Sequence, residues 1–130
     1  MNTAYACILI AALLPYVWTA LAKAGGTRYD NRDPRGWLAK QDNPRIHRAN
    51  GAQLNAFEAF APFAAAVLMA QAVGVDPVRL SWLAIAFVVF RVLHGVFYVA
   101  NRAVLRSLAW AGGYTCVIAL MVLAIMRLTG

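Results

Sequence analysis

Residues 80–100 decide the fold class, because they read LSWLAIAFVVFRVLHGVFYVA with a single charged side chain, Arg91. A helix needs about 20 apolar residues to cross the hydrocarbon core of a bilayer, since each backbone N–H must find its acceptor within the same segment. Three other stretches approach that length, at about residues 4–22, 52–75 and 108–126. We therefore predict an all-α, membrane-spanning, up-down four-helix bundle that forms one domain over residues 1–130.

The composition agrees with a membrane protein, since 62% of the residues are apolar and 13% are charged. A soluble domain would carry about a quarter charged residues. The net charge of +7 is compatible with nucleic-acid binding, but no basic stretch is interleaved with stacking aromatic residues. Cys7 and Cys116 each lie alone in an apolar run, so we expect core packing for both. We expect neither a nucleic-acid partner nor a metal site.

The basic residues predict the orientation of the bundle. Residues 23–48 contain seven Lys and Arg, and the third connection adds Arg102 and Arg106, whereas the opposite side has only Arg79 and Arg127. Positive charge favours the cytoplasmic side. We therefore predict a cytoplasmic loop over residues 23–48 and, in a bacterial inner membrane, periplasmic termini. Three tryptophans near the ends of the spans are predicted to be interfacial anchors: Trp18, Trp82 and Trp110.

Polar residues within the spans need a reason, because a charge in hydrocarbon costs at least about 2.5 kcal/mol. At 100° per residue, Arg48, Asn55 and Glu58 share one stripe of the second span, and Gln53 points away from it. Arg91, His94, Tyr98 and Arg102 are predicted to share a face of the third span, with Arg106 one step further round.

The depths of the two polar stripes agree. Glu58 is expected about 9 Å and Arg91 about 14 Å from the cytoplasmic end, at about 1.5 Å per residue. An ion pair between them, within or between subunits, is then allowed. The stripes predict two walls of a pocket open to the cytosol, suited to a small zwitterion with more negative than positive charge. The alternative is a polar network that only holds the helices together, in which His94 bonds another helix and Tyr98 anchors the interface.

The motifs on the second and third spans resemble those of the family of membrane-associated proteins in eicosanoid and glutathione metabolism (MAPEG). The resemblance rests on GAQLNAFE at residues 51–58 with Pro62-Phe63, on Arg91-x-x-His94-x-x-x-Tyr98, and on Leu105-Arg106-Ser107, and it covers nearly the whole chain. It implies a homotrimer that binds glutathione as co-substrate between subunits. A hydrophobic substrate would then enter from the lipid.

The resemblance also implies roles for individual residues. Gln53, Asn55 and Glu58 would contact glutathione, with Glu58 on its amino group. On the third span, Arg91 matches the family's arginine, and His94 and Tyr98 match ligand-contacting or packing residues.

Two departures from the family leave further alternatives open. Arg106 would be the arginine closest to the thiol, with Arg102 as its rival, because the spacing after Tyr98 differs from that of the family. Many family enzymes have an arginine where this chain has Gly51, and Arg48 is the candidate replacement.

The resemblance, together with the predicted pocket, implies a glutathione-dependent membrane enzyme that transfers a thiol to a hydrophobic substrate or reduces a peroxide. One alternative is a protein of the same fold that binds lipid or another anion without turnover. The other is a small multidrug-type transporter, in which the functional carboxylate lies in the first span without a cationic partner. Glu58 lies instead in the second span, opposite arginines.

Overall fold

The computed structural model describes residues 2–130, which form five helices and no strand. The helices are α1 (Asn2–Ala24), α2 (Pro34–Ala39), α3 (Pro44–Ala72), α4 (Pro77–Val99) and α5 (Ala103–Thr129). Four of them, all except α2, are long and apolar enough to cross a membrane. The prediction of an all-α protein with four membrane-spanning helices is confirmed.

Capping residues set where the helices begin. Asn43 and Asp76 each precede a proline at the first helical position, and their side chains accept hydrogen bonds from the backbone N–H groups of Arg45 and Arg79. Such a residue followed by proline stabilises a helix start. The predicted starts near residues 52 and 80 are therefore wrong, because apolar composition marks only the part of a helix within the hydrocarbon.

The connection predicted over residues 23–48 is ordered, and it contains the short helix α2 and the first turn of α3. The indole N–H of Trp37 donates to the carbonyl oxygen of Arg28 at 3.1 Å. The buried Gln41 amide donates to the Trp37 carbonyl at 3.0 Å and accepts from the Thr27 N–H at 3.2 Å. These bonds tie the segment into an ordered cover over one end of the bundle.

The turn between α4 and α5 is tight. Asn101 adopts a left-handed φ of 60°, and the Arg102 N–H donates to the Phe97 carbonyl at 2.8 Å, which closes the end of α4. Helix α5 then begins at Ala103. The prediction that Arg102 shares a face with His94 on the third span is wrong, and Arg106 belongs to α5.

The buried side chains form two clusters. The deeper cluster includes Cys7, Cys116 and the stacked rings of Phe63 and Phe87, whose centroids are 3.8 Å apart. The second cluster lies beneath α2 and includes Trp18, which is 5% exposed. The prediction of core packing for both cysteines is confirmed, whereas Trp18 is not an interfacial anchor.

The outer surface of the bundle is apolar. In the most apolar stretch of each spanning helix, only 28–33% of the residues are buried. Large apolar side chains are exposed on several of these helices, for example Leu9 on α1, Trp82 on α4 and Leu108 on α5. Surfaces of this kind face lipid or neighbouring chains, not water.

Candidate functional site

The centre of the site is a buried pair formed by Arg91 on α4 and Asn55 on α3. Arg91 is 4% exposed, and its Nη2 donates to Asn55 Oδ1 at 2.7 Å. The ion pair of Arg91 with Glu58 does not form within the chain, because the sole ion pair over residues 2–130 joins Arg32 to Asp30. Asn55 therefore holds the guanidinium, and Glu58 is exposed on the outside of α3.

A cavity of about 270 Å³ opens beside this pair. It is lined by Asn55, His94, Tyr98, Arg106, Ser107 and Trp110. These residues come from α3, α4 and α5, which meet at the end of the bundle that α2 covers. The predicted convergence of polar residues from the second and third spans is confirmed for Asn55, His94 and Tyr98, and α5 adds a third wall.

His94 is the most constrained polar group of this cavity. Its side chain is 3% exposed, and its Nδ1 has no hydrogen-bond partner within residues 2–130. The ring meets Tyr98 edge-on at a centroid distance of 5.7 Å. Buried polar atoms are normally paired, so this nitrogen is an exception among the buried polar groups. No three His, Cys, Asp or Glu side chains cluster among the described residues.

Arg106 lies over the Tyr98 ring, with Cζ 4.7 Å from the ring centroid. This is a cation–π arrangement, which stabilises a guanidinium that has lost part of its hydration. Arg102 occupies the N-cap position of α5, is exposed and does not line the cavity. Of the two rival arginines, only Arg106 lines the cavity. Helix α5 begins at Ala103, and its first turns place Arg106 over the Tyr98 ring.

The remaining predicted residues lie elsewhere. Gln53 lines a second cavity of about 300 Å³ beneath α2, together with Lys23, Arg35 and Asn50. The Nε of Arg48 donates to the carbonyl oxygen of Val99 at 3.1 Å, and so binds the last residue of α4. Within one chain, Gln53 and Arg48 are therefore separate from the cavity, in agreement with the predicted direction of Gln53.

A comparison with known families agrees with this arrangement. The sequence model of the MAPEG family matches residues 3–126. The chain belongs to the MAPEG family. A comparison with curated proteins finds no match. Membership identifies an integral membrane protein from a family whose members are related to glutathione as enzymes or binding proteins.

Gly51 is the position where the sequence interpretation expected a departure from many MAPEG members. A Cβ atom at residue 51 would collide with the hydroxyl of Tyr98 and lie 2.7 Å from its Cζ. The space beside α3 is therefore filled by Tyr98 from α4. The Nε of Arg48 donates to the Val99 carbonyl, and its role as a replacement for a family arginine stays a prediction.

Trp110 is the site residue that the sequence interpretation missed. It was predicted to be an interfacial anchor, yet it lines the cavity and stacks on Tyr114, with ring centroids 5.2 Å apart and planes at 11°. Trp110 is 45% exposed and Tyr114 is 41% exposed. The available signal was spacing, because Trp110 follows Arg106 by four residues and so shares its face of α5.

Proposed function

We propose that the protein is a glutathione-dependent membrane enzyme, which either joins glutathione through its sulfur to a hydrophobic electrophile or uses glutathione to reduce a hydrophobic peroxide. The supporting observation is the cavity that Arg106 and His94 line together, where the buried Nδ1 of His94 has no hydrogen-bond partner among the described residues. A guanidinium is a counter-ion for a thiolate, and the buried imidazole nitrogen needs a hydrogen-bonding group. A small thiol peptide supplies both.

Glutathione carries an ammonium group, carboxylates and amides in addition to its thiol. Asn55 already accepts from Arg91 through Oδ1, so its amide NH₂ remains free to donate to a carbonyl or carboxylate oxygen of the ligand. Tyr98 lines the same cavity, and we propose that its hydroxyl is a second donor to the ligand. Glu58 is the acidic residue of α3 and is suited to the ligand ammonium.

The exposure of Glu58 supports a homotrimer with the ligand between subunits. An acidic side chain that faces lipid within a span is costly, so a neighbouring chain or ligand is expected to cover it. The cavity of about 270 Å³ is also small beside ligand sites of about 300–1,000 Å³. We propose that the second cavity of a neighbouring subunit, which contains Gln53, completes the site.

The chemistry that we propose uses the sulfur of the ligand as nucleophile. Arg106 favours the thiolate over the thiol, because an opposite charge in a poorly solvated site stabilises the ionised form. In conjugation, the thiolate forms a C–S bond and the leaving group departs with its electron pair. In peroxide reduction, two thiols become a disulfide while the peroxide yields an alcohol and water. Cys7 and Cys116 are buried in the deeper cluster and are not needed.

The hydrophobic substrate is proposed to approach from the membrane along α5. Trp110 belongs both to the cavity and to the exposed stack with Tyr114, so it links the cavity to the outer surface of the bundle. Aromatic rings bind apolar molecules over a large area. We further propose a bacterial inner membrane, with the basic end of the bundle in the cytosol and both termini in the periplasm.

The test is a comparison of two arginine variants in detergent-solubilised protein. We expect glutathione to bind with micromolar to millimolar affinity in calorimetry. Arg106→Ala should reduce conjugation about a hundredfold or more, since preorganised charge supplies that order of rate. The matched control is Arg102→Ala, which removes a guanidinium four residues earlier and outside the cavity. Equal losses in both variants, or no binding at high millimolar glutathione, would reject the enzyme.

The second candidate function is binding of glutathione or another anion without turnover. It is favoured by the basic lining of the second cavity, where Lys23 and Arg35 lie beside Asn50 and Gln53. Binding that is saturable, combined with no product from electrophiles or peroxides, would select this candidate over the enzyme.

A further inference from the structure

Gly51 occupies the interior of a long helix, where glycine is unfavourable. Alanine is preferred to glycine within helices, because glycine gives up more backbone freedom and contributes no side chain. No special backbone conformation requires glycine here, since the positive-φ glycine of the described chain is Gly74. The reason must therefore be the space that a side chain at residue 51 would occupy.

That space is taken by Tyr98. A Cβ atom at residue 51 would collide with the phenolic hydroxyl and would lie 2.7 and 2.9 Å from two carbon atoms of the ring. The glycines at 95 and 112 instead accommodate Trp18 and Phe90, which do not line the cavity. Gly113 has ordinary contacts of 3.6 Å and longer. Within the described spans, Gly51 is the glycine that admits a side chain of the cavity.

Tyr98 in turn supports Arg106. The guanidinium carbon lies over the phenol ring, 4.7 Å from its centroid. The centroids of the Tyr98 and His94 rings are 5.7 Å apart, in a T-shaped arrangement. The Tyr98 ring is therefore held between the α3 backbone at Gly51, the His94 imidazole and the Arg106 guanidinium. A ring pushed away from α3 cannot keep all of these contacts.

We infer that Gly51 is a positioning residue, which admits the Tyr98 phenol against α3 so that the phenol ring holds Arg106 at the cavity. The contact chain itself is independent of the ligand. Its consequence for the thiol rests on the proposed function, because there Arg106 stabilises the thiolate. A side chain at residue 51 then affects the glutathione thiol indirectly, through Tyr98 and Arg106.

The experiment compares Gly51→Ala with the matched control Gly113→Ala, in the full-length protein in detergent. The first measurement needs no glutathione: phenylglyoxal modifies accessible guanidinium groups, and peptide mass spectrometry gives its rate at Arg106. We expect a several-fold faster rate in Gly51→Ala and no change in Gly113→Ala. Tyr98→Phe keeps the ring and should keep the slow rate, whereas Tyr98→Leu removes it and should reproduce Gly51→Ala.

The second measurement is the pH dependence of conjugation. If Arg106 moves, the thiol is ionised less readily, so the rising limb of the profile should shift to higher pH in Gly51→Ala. We also expect kcat/KM to fall about ten- to a hundredfold, as displacement of a positioned group does. A merely structural role would lower the amount of folded protein without moving the pH profile.

The outcomes separate this inference from the proposed function. Unchanged Arg106 modification in both Gly51→Ala and Tyr98→Leu would overturn the inference, even if glutathione binds. Wild-type protein that binds no glutathione would overturn the proposed function, while the modification rates would still decide the role of Gly51. If Gly51→Ala does not fold, Tyr98→Leu compared with Tyr98→Phe decides it.

Discussion

Replacement of Asn55 by alanine tests the buried pair on which the cavity is built. The Arg91 guanidinium is 4% exposed and its hydrogen bond to Asn55 is 2.7 Å long. Hydrogen bonds between membrane helices average about 0.6 kcal/mol, but those of charged groups contribute about 1.5–3 kcal/mol. We expect Asn55→Ala to lower the free energy of unfolding by about 2 kcal/mol, since Arg91 loses its acceptor. This changes the ratio of folded to unfolded protein about 30-fold.

Thermal unfolding in detergent without ligand measures this effect directly. Cys7 and Cys116 are both free and buried, so a dye that fluoresces on reaction with thiols reports when the bundle opens. The matched control is Asn50→Ala, which removes an asparagine from the same helix, at the second cavity. Asn55→Asp supplies a charged acceptor to Arg91 and should unfold later than Asn55→Ala.

Two results would refute this reasoning. Equal unfolding of Asn55→Ala and Asn50→Ala would show that Asn55 does not satisfy the guanidinium. Earlier unfolding of Asn55→Asp than of Asn55→Ala would show that the acceptor position is not next to a positive charge. In either case Arg91 would need another hydrogen-bond partner, and a different contact would hold α3 and α4 together beside the cavity.

Three further predictions concern residues around the cavity. Glu58→Gln should weaken glutathione binding about tenfold in calorimetry, because the ligand loses a charged partner. Reconstituted vesicles should show no Glu58-dependent export of cationic dyes, and such export would favour a transporter. Trp110→Ala should raise KM for a hydrophobic electrophile several-fold and leave the glutathione Kd unchanged. The control Trp82→Ala, at the far end of α4, should change neither constant. Gly95→Ala should lower the free energy of unfolding by about 1–3 kcal/mol in the thiol-dye assay, because its Cβ would overlap the Trp18 ring; unaltered unfolding would mean that this contact is loose.

Apolar composition predicted the number of spanning helices, but it did not predict where they begin. The Asn43-Pro44 and Asp76-Pro77 pairs lie before the predicted spans. Such pairs occur in turns and at helix starts, and both of these are helix starts. A polar residue followed by proline is compatible with either structure. The outcome depends on whether the following residues find packing partners, as Ile46 does beneath α2.

The site was predicted in part. Helical angles correctly brought Asn55, His94 and Tyr98 towards one space and directed Gln53 away from it. They failed for Arg102 and Arg106, because the chain reverses at Asn101 and the angular count does not continue across a turn. The pairing of Arg91 with Asn55, not Glu58, required the heights and rotations of two packed helices.

The sequence alone determined that this protein has four membrane-spanning helices and a basic end, and that its rare intramembrane polar groups gather near that end. It could do so because the bilayer demands apolar spans about 20 residues long and penalises each charge within them. Tertiary structure alone decided which polar groups meet: Arg106 with Tyr98, Arg91 with Asn55, and Tyr98 with the space left at Gly51. Those contacts depend on side chains from different helices within a few ångströms, a distance set by packing and not by spacing along the chain.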